Sequence, residues 1–245
     1  MIKMIAFDID GTLALSRSPL DEKMAGMIKY LLDKVLVSLI TGAKLEQIQY
    51  QVIDKLPLNS NLLNLHLMPT CGTKYFTFLN NELVSVYEKN IPEDLRKDVI
   101  RNLEIESKKL GFWEENPYGN IIEDRGSQVT YSALGQDAPI QKREKWDPEG
   151  IKKESLRFIM ANLFSNLEVR SGGTTSVDIT QKGLDKAYGM NQLITYTNIS
   201  AENILFIGDR LDINGNDYPV ISTGVQTYHT KSIEDTYQKI KSLNL

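Results

Sequence analysis

Residues 2–12 read IKMIAFDIDGT, an apolar run followed at once by a polar turn that contains glycine. Residues 2–7 have the pattern of a buried strand. Asp8 and Asp10 follow it two residues apart, so we expect two carboxylates close together at a strand end that water can reach. The sequence therefore predicts functional residues directly after the first strand.

Strands and helices alternate on both sides of a long central segment. Apolar residues recur at helical spacing over residues 20–31, and residues 35–40 predict a second buried strand that ends in Thr41-Gly42. A helix over 44–56, a strand over 65–68 and a hairpin over 75–87 follow. After Gly183 the alternation resumes, with a helix over 185–196, strands over 203–207 and 221–225, and a terminal helix. This order predicts an α/β fold, a Rossmann-like and mostly parallel sheet with helices on both faces.

The central segment has a different character. A charged amphipathic helix is predicted between Pro92 and Gly111, then short strands over 120–123 and 128–132, a helix over 148–164, and strands over 167–170 and 176–180. Hairpins combined with two helices predict an α+β domain. We therefore expect a catalytic core formed by residues 1–82 and 186–245, interrupted by an inserted cap domain over residues 83–185.

Composition excludes several classes of protein. Hydrophobic residues make up 41% of the 245 residues and charged residues 24%, the balance of a globular protein. Lysine and arginine total 28 against 32 acids, so no basic field favours nucleic acid or an anionic membrane surface. The single cysteine, Cys71, predicts no internal disulfide, and the first residues lack a signal-peptide pattern. We expect a cytoplasmic protein without nucleic-acid or membrane partners.

Polar residues follow three predicted strands of the core, where ligands of open parallel sheets bind. They are Asp8 with Asp10, Thr41-Gly42, and Gly208-Asp209. Together with Asp217, from Gly215-Asn216-Asp217, the acids offer the oxygen ligands that Mg²⁺ prefers. Such a cation would neutralise a phosphate dianion before an anionic nucleophile attacks it.

The Thr41 hydroxyl and the Gly42 backbone N–H predict a cradle for phosphate oxygens. A cation should complete this cradle. Lys186 stands next to a predicted helix start and is the preferred candidate, with Lys182 as the alternative. Each feature alone has an ordinary structural explanation, but their conjunction in this order is specific.

These motifs resemble those of the haloacid dehalogenase superfamily. Its D-x-D-G-T motif is similar to Asp8-Ile9-Asp10-Gly11-Thr12, and its later motifs match Thr41, Lys186 and Gly208-Asp209 with Gly215-Asn216-Asp217. The resemblance implies that Asp8 is the nucleophile, that Asp10 is general acid and then base, and that Thr41 and Lys186 hold the transferred phosphoryl group. It also implies a Mg²⁺ site, for which the candidate residues are Asp8, Asp10 through its backbone carbonyl, Asp209, Asn216 and Asp217.

The position of the insert resembles the type IIB cap of sugar phosphatases and of eukaryotic-type phosphomannomutases. The segment from Ser171 to Asp178, with its Gly172-Gly173 turn, is similar to a phosphomannomutase segment. The resemblance implies a phosphorylated-sugar substrate. The residues predicted to bind it are Gly42, Arg17, Arg125, Arg143, Gly173, Ser176 and Asp178.

One position departs from the mutase pattern, because Gln136 stands where a further cap arginine is expected. A mutase must hold a bisphosphate intermediate, whereas a phosphatase need only admit water, so we favour a sugar-phosphate phosphatase. A phosphomannomutase is the alternative, and a non-catalytic phosphosugar-binding protein is a remote third. The sequence leaves open a monomer or a homodimer formed through the cap.

Overall fold

The structure is a computed structural model that describes residues 1–213 and 215–243. Contacts divide the chain into two compact units, which we call the core unit, residues 1–88 and 185–245, and the inserted unit, residues 89–184. The predicted boundary at residue 83 is wrong by six residues. This boundary divided the predicted 75–87 hairpin, whose second strand, Glu82–Glu88, pairs with Lys74–Leu79 and so belongs to the core sheet.

Seven strands of the described residues form the core sheet. Its strands are β1 (Met4–Phe7), β2 (Leu36–Ile40), β3 (Leu65–Met68), β4 (Lys74–Leu79), β5 (Glu82–Glu88), β10 (Ile204–Gly208) and β11 (Gln226–His229). Their spatial order is β11-β10-β1-β2-β3-β4-β5. The first five strands of this order pair in parallel, whereas the pairings of β4 with β3 and of β5 with β4 are antiparallel. Because β1 lies between β10 and β2, the crevice expected at a topological switch point falls next to Asp8.

Helices cover both faces of this sheet. Those of the core unit are α1 (Glu22–Leu32), α2 (Leu45–Gln51), α6 (Lys186–Thr197) and α7 (Ile233–Ser242). Ile28, Ile48 and Ile240 of α1, α2 and α7 pack with one face of the central strands. Met190 and Leu193 of α6 pack with the other. These apolar faces fix the helices against the sheet and leave the strand ends to the loops.

The inserted unit is a sheet with helices on one face. Its elements are α3 (Glu93–Lys109), β6 (Ile122–Asp124), β7 (Gln128–Ser132), α4 (Ile140–Trp146), α5 (Ile151–Leu163), β8 (Leu167–Ser171) and β9 (Ser176–Gln181). The strands are antiparallel in the order β6-β7-β9-β8. Val99 of α3 and Leu156 of α5 pack with Val129 and Val177 of the sheet.

Two element predictions were wrong, and one helix was not predicted. Residues 221–225 are not a strand: Tyr218–Thr223 is a 3₁₀ helix that contains Pro219, and Gly224, with a φ of 78°, follows it before the edge strand begins. Helix α4 was missed because it is a single short element without apolar periodicity. Helix α2 ends at Gln51 and a 3₁₀ turn over Ile53–Lys55 replaces its predicted last residues. No helix in the described ranges is long and apolar enough to cross a membrane.

Candidate active site

The turn after β1 places Asp8 at the buried end of the strand. Its side chain is nearly inaccessible, and its backbone N–H donates to Ile207 O at 3.0 Å, continuing the pairing with β10. Gly11 has a φ of 82°, and a Cβ atom there would lie 2.5 Å from the Asp209 carboxylate. Glycine is therefore needed at this position, since it lets the turn pass close to the acid that follows β10.

Three acids of the core unit converge. Carboxylate oxygens of Asp8, Asp209 and Asp217 lie within 4.8 Å of one another. Asp217 is fully buried, and its Oδ2 accepts a hydrogen bond from Arg210 N at 3.0 Å. Asp8 follows β1, whereas Asp209 and Asp217 follow β10 about 200 residues later in the sequence.

Lys186 is the cation of this cluster. It begins α6, where the Asp185 side chain caps the helix by accepting from Ala187 N and Tyr188 N. The fully buried Lys186 Nζ donates to Asp8 Oδ1 and to Asp217 Oδ1, each at 2.6 Å. The exposed Lys182, the alternative candidate, instead donates to Ser165 O in the inserted unit.

The cluster holds more negative than positive charge. Burial raises the pKa of Asp8 well above its usual range, Lys186 opposes this rise, and Asp217 and Asp209 add to it. Burial and then Asp217 raise the pKa of Asp209 to about 6. Burial would lower the pKa of Lys186, but Asp217 and Asp8 more than offset it, so the lysine stays protonated.

A metal ion would fit these residues. Hard cations bind carboxylate oxygens, and carboxylates of three acids converge here beside the Lys186 ammonium group. The raised pKa values of Asp8 and Asp209 show the same excess of negative charge. The predicted ligand Asn216 is a half-buried neighbour of Asp217 in the same loop.

Asp10 is held separately from the three acids. Its Oδ1 accepts hydrogen bonds from Arg17 N at 2.9 Å and from Gln51 Nε2 at 3.0 Å, and its Oδ2 lies 3.4 Å from Ser16 Oγ. Arg17 has a φ of 60°, in the left-handed region that residues other than glycine seldom adopt. The structure thus brings the predicted residues Asp10 and Arg17 together through the backbone of Arg17. Gln51 was not predicted.

Thr41 and Gly42 follow β2 directly. The buried Thr41 Oγ1 accepts from Ala43 N at 3.2 Å, so the hydroxyl hydrogen can be donated to another acceptor. The Thr41 carbonyl accepts from Cys71 N at 2.8 Å, which fixes the turn. Gly42 is half-buried beside it.

The predicted residues of the inserted unit lie on several elements. Arg125 forms an ion pair with Glu123, and both side chains are largely buried. Arg143 lies on α4. Gly173 is exposed in the turn between β8 and β9, where its carbonyl accepts from Lys153 Nζ at 3.0 Å.

Ser176 and Asp178 share a polar face of the inserted sheet, opposite the face that packs with the helices. Gln128, Thr130 and Ser132 of β7 pair with Thr180, Asp178 and Ser176 of β9. Asp178 Oδ1 accepts from Gln128 Nε2 at 2.8 Å and from Thr130 Oγ1 at 2.7 Å. Sequence reasoning missed Gln128 and Thr130, although polar residues alternating along both predicted strands were a usable signal.

The model of the haloacid dehalogenase-like hydrolase family matches residues 5–224. The chain belongs to this family. It is 28% identical over 250 residues to a phosphomannomutase of Encephalitozoon cuniculi, covering 96% of this chain and 90% of that protein. It is 27% identical to a phosphomannomutase of Triticum aestivum, covering 98% and 94%. The predicted resemblance is confirmed.

Solved structures share the fold. The IMP-nucleotidase of Plasmodium falciparum superposes with a TM-score of 0.72 at 18% identity, over 100% of this chain and 69% of that one. A haloacid dehalogenase-like hydrolase of Bacteroides thetaiotaomicron gives a TM-score of 0.64 at 14% identity, over 99% of both chains. The predicted α/β core with an inserted cap is confirmed, and the chain is a phosphoryl-transfer enzyme, a phosphatase or a phosphomannomutase.

Proposed function

We propose that this enzyme is a Mg²⁺-dependent phosphatase of phosphorylated sugars in which the Asp8 carboxylate attacks phosphorus. The observation that carries this proposal is the contact of Asp8 Oδ1 with Lys186 Nζ at 2.6 Å, inside the cluster of three acids. A buried carboxylate oriented by an ammonium group, with other acids beside it, is arranged as a nucleophile that works with a cation.

The two oxygens of Asp8 have different surroundings. Lys186 holds Oδ1, so Oδ2 is the oxygen we assign to the attack on phosphorus. The bond from phosphorus to the sugar oxygen breaks as the bond to Asp8 forms, and Asp10 gives its proton to the departing oxygen. Asp10 then takes a proton from the water that hydrolyses the aspartyl phosphate, which returns Asp8 as a free carboxylate.

Mg²⁺, held by Asp8, Asp209 and the Asp10 carbonyl with Asn216 and Asp217 beside them, would supply positive charge for the phosphate oxygens. Thr41 and Gly42 would donate hydrogen bonds to the same oxygens. Asp217, whose two oxygens accept from Lys186 and Arg210, would also keep Lys186 directed at Asp8.

A sugar as the leaving group is supported by the relatives and by the inserted unit. The relatives are phosphomannomutases that match nearly the whole chain. Asp178, oriented by two donors, and the neighbouring Ser176 offer groups that can bind sugar hydroxyls. We assign phosphate contacts to Arg17, Arg125 and Arg143, and a backbone contact to Gly173.

Phosphomannomutase is the second candidate, favoured by the same relatives. Gln136 carries no positive charge where the mutase pattern expects an arginine, and this weakens the hold on the second phosphate that a mutase needs. A non-catalytic binding protein is disfavoured, because a binder gains nothing from a nucleophile beside an acid.

The test is an assay of the pure protein with mannose 1-phosphate and Mg²⁺, with and without a catalytic amount of mannose 1,6-bisphosphate. A phosphatase releases inorganic phosphate under both conditions, whereas a mutase forms mannose 6-phosphate when the bisphosphate is present. EDTA should abolish either activity and Mg²⁺ should restore it. A panel of phosphorylated sugars then ranks the substrates, and activity on none of them would overturn the proposal.

A further inference from the structure

Gln51 has a fully buried side-chain amide whose hydrogen-bond partners lie outside the three-acid cluster. It ends α2, and its Nε2 donates to Asp10 Oδ1 at 3.0 Å and to Ser18 O at 2.9 Å. Its Oε1 accepts from Gln47 Nε2 at 2.8 Å. Since Ser18 O can only accept, the amide has one orientation in this network, with its donors facing Asp10.

The two oxygens of Asp10 are thereby made unequal. Oδ1 receives hydrogen bonds from Arg17 N and Gln51 Nε2, which are both groups that can only donate. A proton on Oδ1 would face two donors. Oδ2 lies beside Ser16 Oγ, and a hydroxyl can donate or accept. Oδ2 is therefore the oxygen that can carry a proton and release it.

We infer that Gln51 is a positioning residue for proton transfer: it fixes the Asp10 carboxyl group so that Oδ2 faces the leaving oxygen. This inference rests on the proposed role of Asp10 as general acid. The backbone supports the same arrangement, because Leu20 N donates to Gln51 O at 2.8 Å and ties the loop after Asp10 to the end of α2. A side-chain substitution at position 51 leaves this backbone bond in place.

The test compares two leaving groups. An alkoxide leaving from a hexose phosphate needs a proton from Asp10, whereas nitrophenolate leaving from p-nitrophenyl phosphate does not. Rapid-quench measurement of phosphoryl transfer to Asp8 reads this step for a phosphatase and a mutase alike. For Gln51→Met we expect the rate with hexose phosphate to fall by about 10- to 100-fold and that with p-nitrophenyl phosphate by less than about threefold, because positioned general acids contribute about 10²- to 10⁴-fold.

Two further variants and one control complete the experiment. Gln51→Glu keeps the shape of the side chain and replaces the donor with an oxygen, so it should show the same selective loss. Asp10→Ala should show a larger loss with the same selectivity. The matched control is Gln49→Met, an exposed position of the same helix whose amide donates to Asp54 and not to Asp10, and it should leave both rates unchanged.

An equal loss with both substrates, or no loss with either, would overturn the role of Gln51 and leave the proposed function standing. Failure of the wild-type enzyme to transfer a phosphoryl group to Asp8 from either substrate would overturn the proposed function and the role of Gln51 with it.

Discussion

The polar sites of the core unit and the inserted unit differ in how their charged groups are paired. In the core unit three acids converge on one lysine, which leaves negative charge uncompensated. In the inserted unit, Arg125 pairs with Glu123, and two donors satisfy Asp178 Oδ1. The first arrangement needs an additional cation before an anion can approach. In the second arrangement, the hydrogen-bonded Asp178 suits the recognition of neutral hydroxyl groups. Under the proposed function, the core unit would carry the chemical step and the inserted unit would contribute contacts to the sugar.

The largest effect should come from removing the nucleophile in the core unit. Asp8→Asn replaces the attacking carboxylate with an amide, and we expect turnover of every phosphate ester to fall by about 10⁴-fold or more. Phosphate release from a sugar phosphate and from p-nitrophenyl phosphate measures this. Because burial and the neighbouring acids raise the pKa of Asp8, the variant should be at least as stable as the wild type in thermal unfolding. Comparable phosphate release by both proteins would refute the assigned nucleophile.

Removing the lysine of the cluster should affect both activity and stability. Lys186→Met leaves Asp8 and Asp217 buried without their shared donor, so we expect a loss of about 3–5 kcal/mol in unfolding free energy. We also expect the rate to fall by about 10²- to 10³-fold with all substrates, as for other electrostatic groups at a reacting centre. Lys182→Met, at an exposed position, is the matched control. Wild-type stability in the Lys186 variant would show that the cluster is not charged as described.

Sequence reasoning found the core site because its residues come from short motifs at strand ends. The carboxyl ends of parallel strands meet at one edge, so the sequence predicts that Asp8, Thr41 and Asp209 lie at the same edge of the sheet. Asp217 was predicted from its motif and joins this group. Gln51 could not be found in this way. It reaches Asp10 from the end of a helix 41 positions later, and glutamine at a helix end has no pattern of its own.

The inserted unit was predicted less well. Its two long helices and the strands β7 and β9 were found, because their periodicity is strong. The helix that carries Arg143 was missed, and the first boundary was placed inside the β4–β5 hairpin. The first error concerns a helix of seven residues, too short for a clear apolar period, and the second a strand whose assignment depends on its pairing partner. The catalytic and binding roles of the predicted residues in both units remain predictions.

An intermediate effect is expected on stability alone. The free energy of unfolding should fall with pH because of a buried histidine in the core unit. Both histidines, His66 and His229, belong to the core unit. Burial lowers the pKa of His66 to about 4, and its Nδ1 is 2.9 Å from Tyr75 Oη. The folded protein therefore keeps His66 neutral while the unfolded chain protonates it below about pH 6.5. From pH 7 to pH 5 this costs about 2 kcal/mol of unfolding free energy, and the loss is complete once the pH falls below about 4.

Asp8 and Asp209 act in the opposite direction, because their raised pKa values favour the folded state as the pH falls. The informative quantity is therefore the difference between wild type and His66→Gln, measured by denaturant unfolding at each pH. The variant should lose about 2 kcal/mol less than the wild type between pH 7 and pH 5. Parallel pH curves for wild type and the His66 variant would contradict a neutral buried histidine.

The smallest effect should come from a substitution on the polar face of the inserted unit. It tests whether this face binds the sugar without taking part in the chemical step. Ser176→Ala removes one hydroxyl beside Asp178 and leaves the core cluster unchanged. Losing a hydrogen bond to a sugar hydroxyl costs about 1 kcal/mol, so KM for the sugar phosphate should rise about fivefold. KM for p-nitrophenyl phosphate, which has no sugar hydroxyls, should stay the same. Ser155→Ala, on the exposed side of α5, provides the control. A fall in kcat for both substrates would mean that this face takes part in the chemical step, and the separation between the two units would then fail.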